Sequence, residues 1–586
     1  MCGIAGILQF DDSKPNLSEL ASMLKVLEPR GPDDEGVWSE GSIALGHRRL
    51  SIIDLSQKAH QPLSDDNATL VFNGTIYNYK ELRAELEAAG YQFVSAGDTE
   101  VILKAYQVWG KSCVTKFHGM FAFCLWDKNH KTLFMARDRI GIKPLYYSLQ
   151  ANRIIFASNP QALLKTKSID SALDYKALHF HFSLHAVIPA PRTILRGIKK
   201  LNPAHTMSFK SDGTCQKKKY WRLDSNINKS LAKEDWLAGT KTLLEKAVRR
   251  RIEAADVPVG VLLSGGLDSS LLTALLVNSG IKNLKTFSIG FEDAPEEKGH
   301  EFGYSDQVVD MYQTEHYKFK IPNSRVLRRL PAAIANMAEP MFGQDAAAFF
   351  LLAEKVADEV KVVQSGQGAD ELFAGYFWYQ KMINIDKSQE VQTFHDLYVD
   401  REHQEINMLL DTGIHDVTRL WLKDKFNTIR ADNMLDKVLN LDITNLIADD
   451  PVKRIDNMTM AWGLEARVPF LDHELVEFVA RMPQALKLHS DGKGILKELA
   501  ADILPHEVVN RPKGYFPMPA LKYVRGGFLN WMQDVLLSDT ARQRGLYNER
   551  YVTKFLERPT AHFTKIKGSK LWQLALTESW LQINNI

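Results

Sequence analysis

Val259 to Leu263 is an apolar run of strand length that breaks into a glycine- and hydroxyl-rich segment, and the apolar run Leu271 to Val277 behind it has the length of a helix. Leu284 to Phe291 reads as a second strand, Tyr304 to Tyr312 as a helix and His316 to Phe319 as a third short strand. Ala346 to Val356 is helical and Val360 to Val363 is the next strand. Strands alternating with helices at this spacing predict a parallel, doubly wound α/β sheet. Upstream, Lys233 to Ala254 has a helical apolar period. Residues 377–450 are amphipathic and helical. In the N-terminal third, Leu45 to Asp54 runs into a strand, Val71-Phe72 is a short apolar run before Asn73-Gly74, and Val101 to Val108 is a helix. Residues 211–235 are polar and turn-rich and predict a linker, giving domains over 2–212 and 235–586.

At 586 residues the chain is too long for one core. With 45% apolar and 25% charged residues it has the composition of a soluble globular protein, and a net charge of +2 gives no argument for nucleic acid or for an acidic membrane surface. No window has the apolar length of a membrane span, and residues 1–30 contain no secretory apolar core. Cysteines at 2, 113, 124 and 215 have neither metal spacing nor the density of a disulfide scaffold, so a reducing, cytoplasmic location is the expectation.

The candidate chemistry sits where strands break. In Leu263-Ser264-Gly265-Gly266-Leu267-Asp268-Ser269-Ser270, loop N–H groups and a helix N-terminus converge as an anion requires. Two glycines allow close backbone approach to a phosphate, the serines add hydroxyls, and Asp268 is placed to hold a divalent metal. No lysine stands where a P-loop needs one. A second strand-glycine-acid-helix junction follows at Gln364-Ser365-Gly366-Gln367-Gly368-Ala369-Asp370-Glu371. Ligands gather at the carboxyl ends of strands in such a sheet, so both loops are expected to face one pocket. At the other end of the chain stands Cys2. Removal of Met1 leaves one residue with a thiol and a free amine of pKa about 7.7–8.0, a nucleophile and a base together.

The order Cys2-Gly3-Ile4, Arg30-Gly31-Pro32-Asp33-Asp34, His47-Arg48-Arg49-Leu50-Ser51-Ile52-Ile53, Asn73-Gly74-Thr75, Gly97-Asp98-Thr99-Glu100 and Arg137-Asp138-Arg139 resembles the class II glutamine amidotransferase domain, an α+β (αββα) sandwich of the N-terminal-nucleophile hydrolases. The resemblance implies Cys2 as nucleophile on the glutamine amide. Asn73 and the Gly74 N–H become the oxyanion hole. Arg49 becomes the clamp on the glutamine α-carboxylate, Asp98 the partner of its α-ammonium, and Ile52, Ile53 and Thr75 further contacts. Thr75 departs from the pattern, which often has glutamate there.

The loop after Val259 resembles the pyrophosphate loop of ATP-pyrophosphatases, of the adenine nucleotide α-hydrolase-like fold. It implies ATP contacts from Leu263, Ser264, Gly265, Gly266, Asp268, Ser269, Ile289, Ser365 and Gly366, with Mg²⁺ shared by Asp268 and Asp370. Gly492-Lys493-Gly494 matches the lysine that stabilises charge on the transferring group, which makes Lys493 catalytic. Together the halves resemble the glutamine-hydrolysing asparagine synthetase family, with added helices after the sheet. That implies a ligase of the EC 6.3.5 type whose partners are small molecules: glutamine, ATP and a carboxylate acceptor. The resemblance admits a homodimer.

The family usually carries glutamate in the third position of Ser-Gly-x-Gly, where this chain has Gln367. A neutral amide binds no ammonium as that glutamate would. Residues 182–195, 363–371, 450–460, 511–519 and 568–576 look much like the N-acetylglutaminylglutamine amidotransferase branch, which amidates the terminal carboxylate of an acetylated dipeptide to make an osmoprotectant. That acceptor is the expectation, with aspartate as the alternative, and Gln344, Asp345 and Gln367 are the candidate acceptor residues.

Overall fold

The structure is a computed structural model that describes residues 2–512, 514 and 518–586. Met1, Lys513 of the Arg511–Gly514 motif, and Tyr515, Phe516 and Pro517 of the 511–519 stretch lie outside the described residues.

The N-terminal part builds two six-stranded antiparallel sheets. Gly3–Gln9 is central in the first, between Ile43–Arg49 and Arg153–Ala157. Gly119–Asp127 is central in the second, between Ala68–Ile76 and Thr132–Arg137. Alternation along each strand sorts the side chains into layers. Ile4 and Leu8 pack between the sheets with Val71, Ala122 and Cys124. Ala5 and Ile7 turn the other way, against Leu20, Leu24 and Leu27 of the Leu17–Leu27 helix. On the far side Phe72, Phe121 and Phe123 meet Val101, Ile102 and Ala105 of the Asp98–Trp109 helix. Helix, sheet, sheet and helix are therefore stacked.

Two local expectations need correction. The helix placed at Val101 begins at Asp98. The predicted linker contains a strand, Cys215–Lys219, at the edge of the second sheet. Every residue of that strand is exposed, so neither face has an apolar residue to reveal it.

The C-terminal part holds a five-stranded parallel sheet in the order Glu315–Ile321, Lys285–Phe291, Val259–Leu262, Val362–Gln364, Glu465–Arg467. The first of these strands in the sequence is central, and later strands add on either side of it. The loops that follow Leu262 and Gln364 thus leave adjacent strand ends at the point where strand order reverses. Glu465–Arg467 is only three residues long and has no periodic signal in the sequence. The 390–446 stretch folds as successive helices, including Glu390–Tyr398, His403–Leu410, Val417–Thr428 and Met434–Leu441. Among the described residues no helix is long and apolar enough to cross a membrane.

Candidate functional site

Cys2 immediately precedes the N-terminal part's central strand, Gly3–Gln9, and is 7% exposed. Burial pushes its thiol up from the ordinary value, so the resting thiol is neutral and attack needs a base. The Asn73 side-chain oxygen accepts from the Cys2 backbone N at 3.1 Å. That bond orients the carboxamide and leaves Asn73 Nδ2 buried with no partner. A buried orphan donor costs free energy unless a ligand oxygen meets it. Gly74 follows in the same strand, where a Cβ would stand 2.2 Å from the Met120 carbonyl oxygen, so only glycine fits.

Arg49 is 5% exposed. Its guanidinium donates to the carbonyls of Ser56 at 3.1 Å, Ile53 at 3.4 Å and Asp54. The 52–56 loop is thereby folded around a cation. The Asp54 carboxylate accepts from Ala96 N at 2.7 Å, tying this loop to the one that precedes Asp98. Asp98 accepts from Ile76 N at 3.0 Å, and burial raises its carboxyl to about 6. A buried carboxyl poised there gains by meeting an ammonium. Cys2, Asn73, Arg49 and Asp98 are thus connected through strand ends and two loops.

The sequence reading missed how closely this pocket is tied to the C-terminal sheet. Asp256 N donates to Ile52 O at 2.9 Å, and Asp54 N donates to the Asp256 carboxylate at 2.8 Å. Asp256 lies three residues before the Val259–Leu262 strand. Thr75 Oγ1 donates to Glu465 at 3.4 Å, and Glu465 is paired with Arg467 at 2.5 Å. Arg30 donates to the Cys2 carbonyl at 3.2 Å and to Asp456 at 3.0 Å, and Lys143 also reaches Asp456 at 3.0 Å. All three of these charged residues are buried. The one available signal was the Pro451–Met460 helix, which carries Lys453, Arg454 and Asp456 among apolar residues and is buried on every face.

A cavity of about 730 Å³ opens at the reversal point of the parallel sheet. Leu263, Ser264, Gly266, Asp268, Ser269, Ile289, Ser365, Gly366, Gln367, Asp370 and Lys493 line it. Gly265 does not; it turns the chain at φ +77°, and a Cβ there would stand 2.6 Å from Ser305 N. Ser269 Oγ accepts from Ser264 N at 3.1 Å, fixing the loop from within. Lys493 joins the two acids, reaching Asp268 at 2.6 Å and Asp370 at 2.7 Å. The paired carboxylates hold its ammonium well above the ordinary lysine range despite burial. Two hard carboxylates with serine hydroxyls nearby are a donor set suited to Mg²⁺ beside phosphate.

A second cavity, about 210 Å³, shares Asp345, Tyr376 and Arg454 with the first. Phe342, Trp378, Tyr379 and Tyr398 give it an aromatic wall. Its acids are engaged: Arg454 is held by Asp345 at 3.1 Å and Asp450 at 2.5 Å, and Asp442 accepts from the Tyr379 hydroxyl. Gln344 and Asp345 line this cavity, whereas Gln367 lines the larger one. The candidate acceptor residues are thus split between two connected spaces.

Comparison with known proteins agrees with this division. The family model described as "Glutamine amidotransferase domain" matches residues 1–221, and that described as "Asparagine synthase" matches residues 239–582. Asparagine synthetase (glutamine-hydrolyzing) 3 of Bacillus subtilis (strain 168) is 29% identical over 100% of this chain and 99% of its own length. Asparagine synthetase (glutamine-hydrolyzing) 1 of the same organism is 30% identical over 100% and 97%. Putative asparagine synthetase (glutamine-hydrolyzing) 2 of Methanocaldococcus jannaschii is 36% identical over 67% and 79%. The molecule is a glutamine-dependent amidotransferase, an ATP-consuming carbon–nitrogen ligase. The chain belongs to the asparagine synthase family.

Proposed function

We propose that the chain moves the amide nitrogen of glutamine onto the terminal carboxylate of N-acetylglutaminylglutamine, activated as its adenylate, with release of AMP and pyrophosphate. The observation that carries the acceptor is a convergence. Four of the stretches that look like the dipeptide-amidating branch meet at the aromatic cavity: 182–195 through His185, 363–371 through Glu371, 450–460 through Asp450 and Arg454, and 568–576 through Gly568. With its acids engaged by Arg454 and Tyr379, this space suits a capped, amide-rich acceptor better than a free ammonium. Aspartate is the alternative acceptor.

In this reading Cys2 attacks the glutamine side-chain amide, its α-amine takes and returns the proton, and Asn73 Nδ2 with the Gly74 N–H meets the oxyanion. Arg49 and Asp98 hold the two ends of the amino acid. Ammonia is mostly protonated in neutral water, so its delivery through the buried junction of the two halves keeps it nucleophilic. Ser264, Gly266, Ser269, Ser365 and Gly366 hold the ATP phosphates, Asp268 and Asp370 hold Mg²⁺, and Lys493 faces the charge that develops at the transferring group.

Asp98 gives a pH signature. Its folded value stands near 6, so protonation below that pH removes the partner of the glutamine ammonium. The KM for glutamine is expected to rise as pH falls through 6, with kcat changing less. Asp98→Asn should raise KM above pH 6, converge on the wild-type value below it and so abolish that acid limb, which initial rates of glutamate formation will show.

Gly568→Val tests the acceptor cavity. A Cβ at Gly568 would sit 3.3 Å from Thr564 Oγ1, which must yield by a few tenths of an ångström, and 3.7 Å from His185, so the added methyls stand beside His185. The KM for N-acetylglutaminylglutamine is expected to rise at least ~10-fold, about 1.4 kcal/mol of binding, with glutamine hydrolysis unchanged. An unchanged KM places the acceptor elsewhere.

A further inference from the structure

We propose that His179, His403 and Asp416 form a zinc site outside both cavities. The three residues come from different helices: His179 lies within Tyr175–Ser183, His403 opens His403–Leu410, and Asp416 caps Val417–Thr428. His179 Nε2 and His403 Nδ1 are 3.0 Å apart, and an Asp416 carboxylate oxygen is 4.0 Å from His179 Nε2. One ligand atom from each residue lies within 4.8 Å of the others. In a tetrahedral zinc centre with Zn–N near 2.0–2.1 Å, two imidazole nitrogens stand about 3.3 Å apart. The observed pair needs only a small opening, and Asp416 a small approach.

The remote ring nitrogen of His179 is held as a metal-bound histidine requires. His179 Nδ1 meets Thr418 Oγ1 at 2.9 Å, and that hydroxyl is backed by Ser183 Oγ at 2.6 Å. His403 Nε2 meets the Asn407 carboxamide at 3.1 Å. It is the amide nitrogen that faces the ring, and turning it over to present the oxygen to the ring N–H once Nδ1 binds metal exchanges the present bonds to Ile414 O and Thr412 Oγ1. The Asp416 oxygen nearest His179, Oδ1, also accepts the capping bond from Arg419 N at 2.9 Å, so a metal would take its second lone pair, while Oδ2 faces Arg419 Nε at 3.6 Å. Two nitrogens and a carboxylate oxygen form a donor set of the zinc type. His403 and Asp416 are half-buried, which leaves one side for a water ligand.

Such an ion would clamp residues 175–183, within the amidotransferase match, to the helices at 403–428, within the asparagine synthase match. The test uses untagged full-length protein, stripped with chelator and dialysed against buffered Zn²⁺. Metal content, thermal midpoint and the visible spectrum of the Co²⁺-loaded form are recorded for wild type, His403→Gln, Asp416→Asn and His415→Gln. His415 is an exposed neighbour outside the cluster and serves as the control. Wild type and H415Q should bind one Zn²⁺ per chain, melt several degrees higher with metal, and show a tetrahedral Co²⁺ spectrum. H403Q should lose all three, and D416N should bind at least tenfold more weakly. Both variants should keep glutamine hydrolysis, which shows that they are folded. Metal content equal in wild type and H403Q, or no zinc-dependent shift in wild type, would overturn the proposal.

Discussion

Replacing Cys2 with alanine should abolish glutamine-dependent product formation, by at least ~10³-fold, while synthesis from added ammonium chloride continues at the wild-type rate. The asymmetry follows from the placement of the two centres. Cys2 immediately precedes the Gly3–Gln9 strand of the first antiparallel sheet, in contact with Asn73 and Arg30, whereas the nucleotide cavity is lined by the parallel sheet's loops. Removing a sulfur from a small buried side chain leaves the Asn73 and Arg30 contacts to the backbone in place, because both are made to main-chain atoms of residue 2. Parallel assays with glutamine and with ammonium, together with a thermal melt, separate loss of the nucleophile from loss of fold. Glutamine-dependent synthesis surviving in C2A would assign the nucleophile to another residue.

The opposite split is expected at Lys493. Lys493→Ala should lower pyrophosphate release by about 10²–10³-fold, the usual scale for deleting one group that stabilises transition-state charge. Glutamine hydrolysis should persist. The substitution also strips the cation from between Asp268 and Asp370, which stand 2.6 and 2.7 Å from it. Both carboxylates are partly exposed to the cavity, so the loss falls below the ~3–5 kcal/mol of breaking a fully buried pair, and K493A should melt lower. Lys493→Arg keeps the charge, but its planar fork does not reproduce a compact ammonium held between two carboxylates. K493R should recover most of the thermal stability and little of the pyrophosphate release. Recovery of both together would reduce Lys493 to a structural ion pair.

What the sequence made legible was local. Val259–Leu262 and the helix Leu267–Asn278 are adjacent in the chain, so strand, glycine turn, acid and helix can be read as one continuous string. The same holds for Val362–Gln364 and Ala369–Phe373. Asn73-Gly74 and Asp98 were likewise found in short motifs. The links between the halves were not legible, because their partners are far apart along the chain. Arg30 and Asp456 are separated by 426 positions, Lys143 and Asp456 by 313, and Asp54 and Asp256 by 202. A single charged residue in such a pair looks like a surface residue until the fold buries it. Cys215–Lys219 and Glu465–Arg467 escaped for a related reason. The first has no buried face and the second is too short to show a period. Gln367 was legible as a departure from the family's glutamate, but its position in the larger cavity, rather than beside Gln344, needed the fold.

Pyrophosphate release decides which acceptor the enzyme amidates. Purified protein with glutamine, ATP and Mg²⁺ is supplied in parallel with N-acetylglutaminylglutamine, with aspartate, or with neither. Release with the acetylated dipeptide alone, with one dipeptide amide formed per pyrophosphate, is the predicted result. Release with aspartate and none with the dipeptide would contradict it and make this chain an asparagine-forming enzyme.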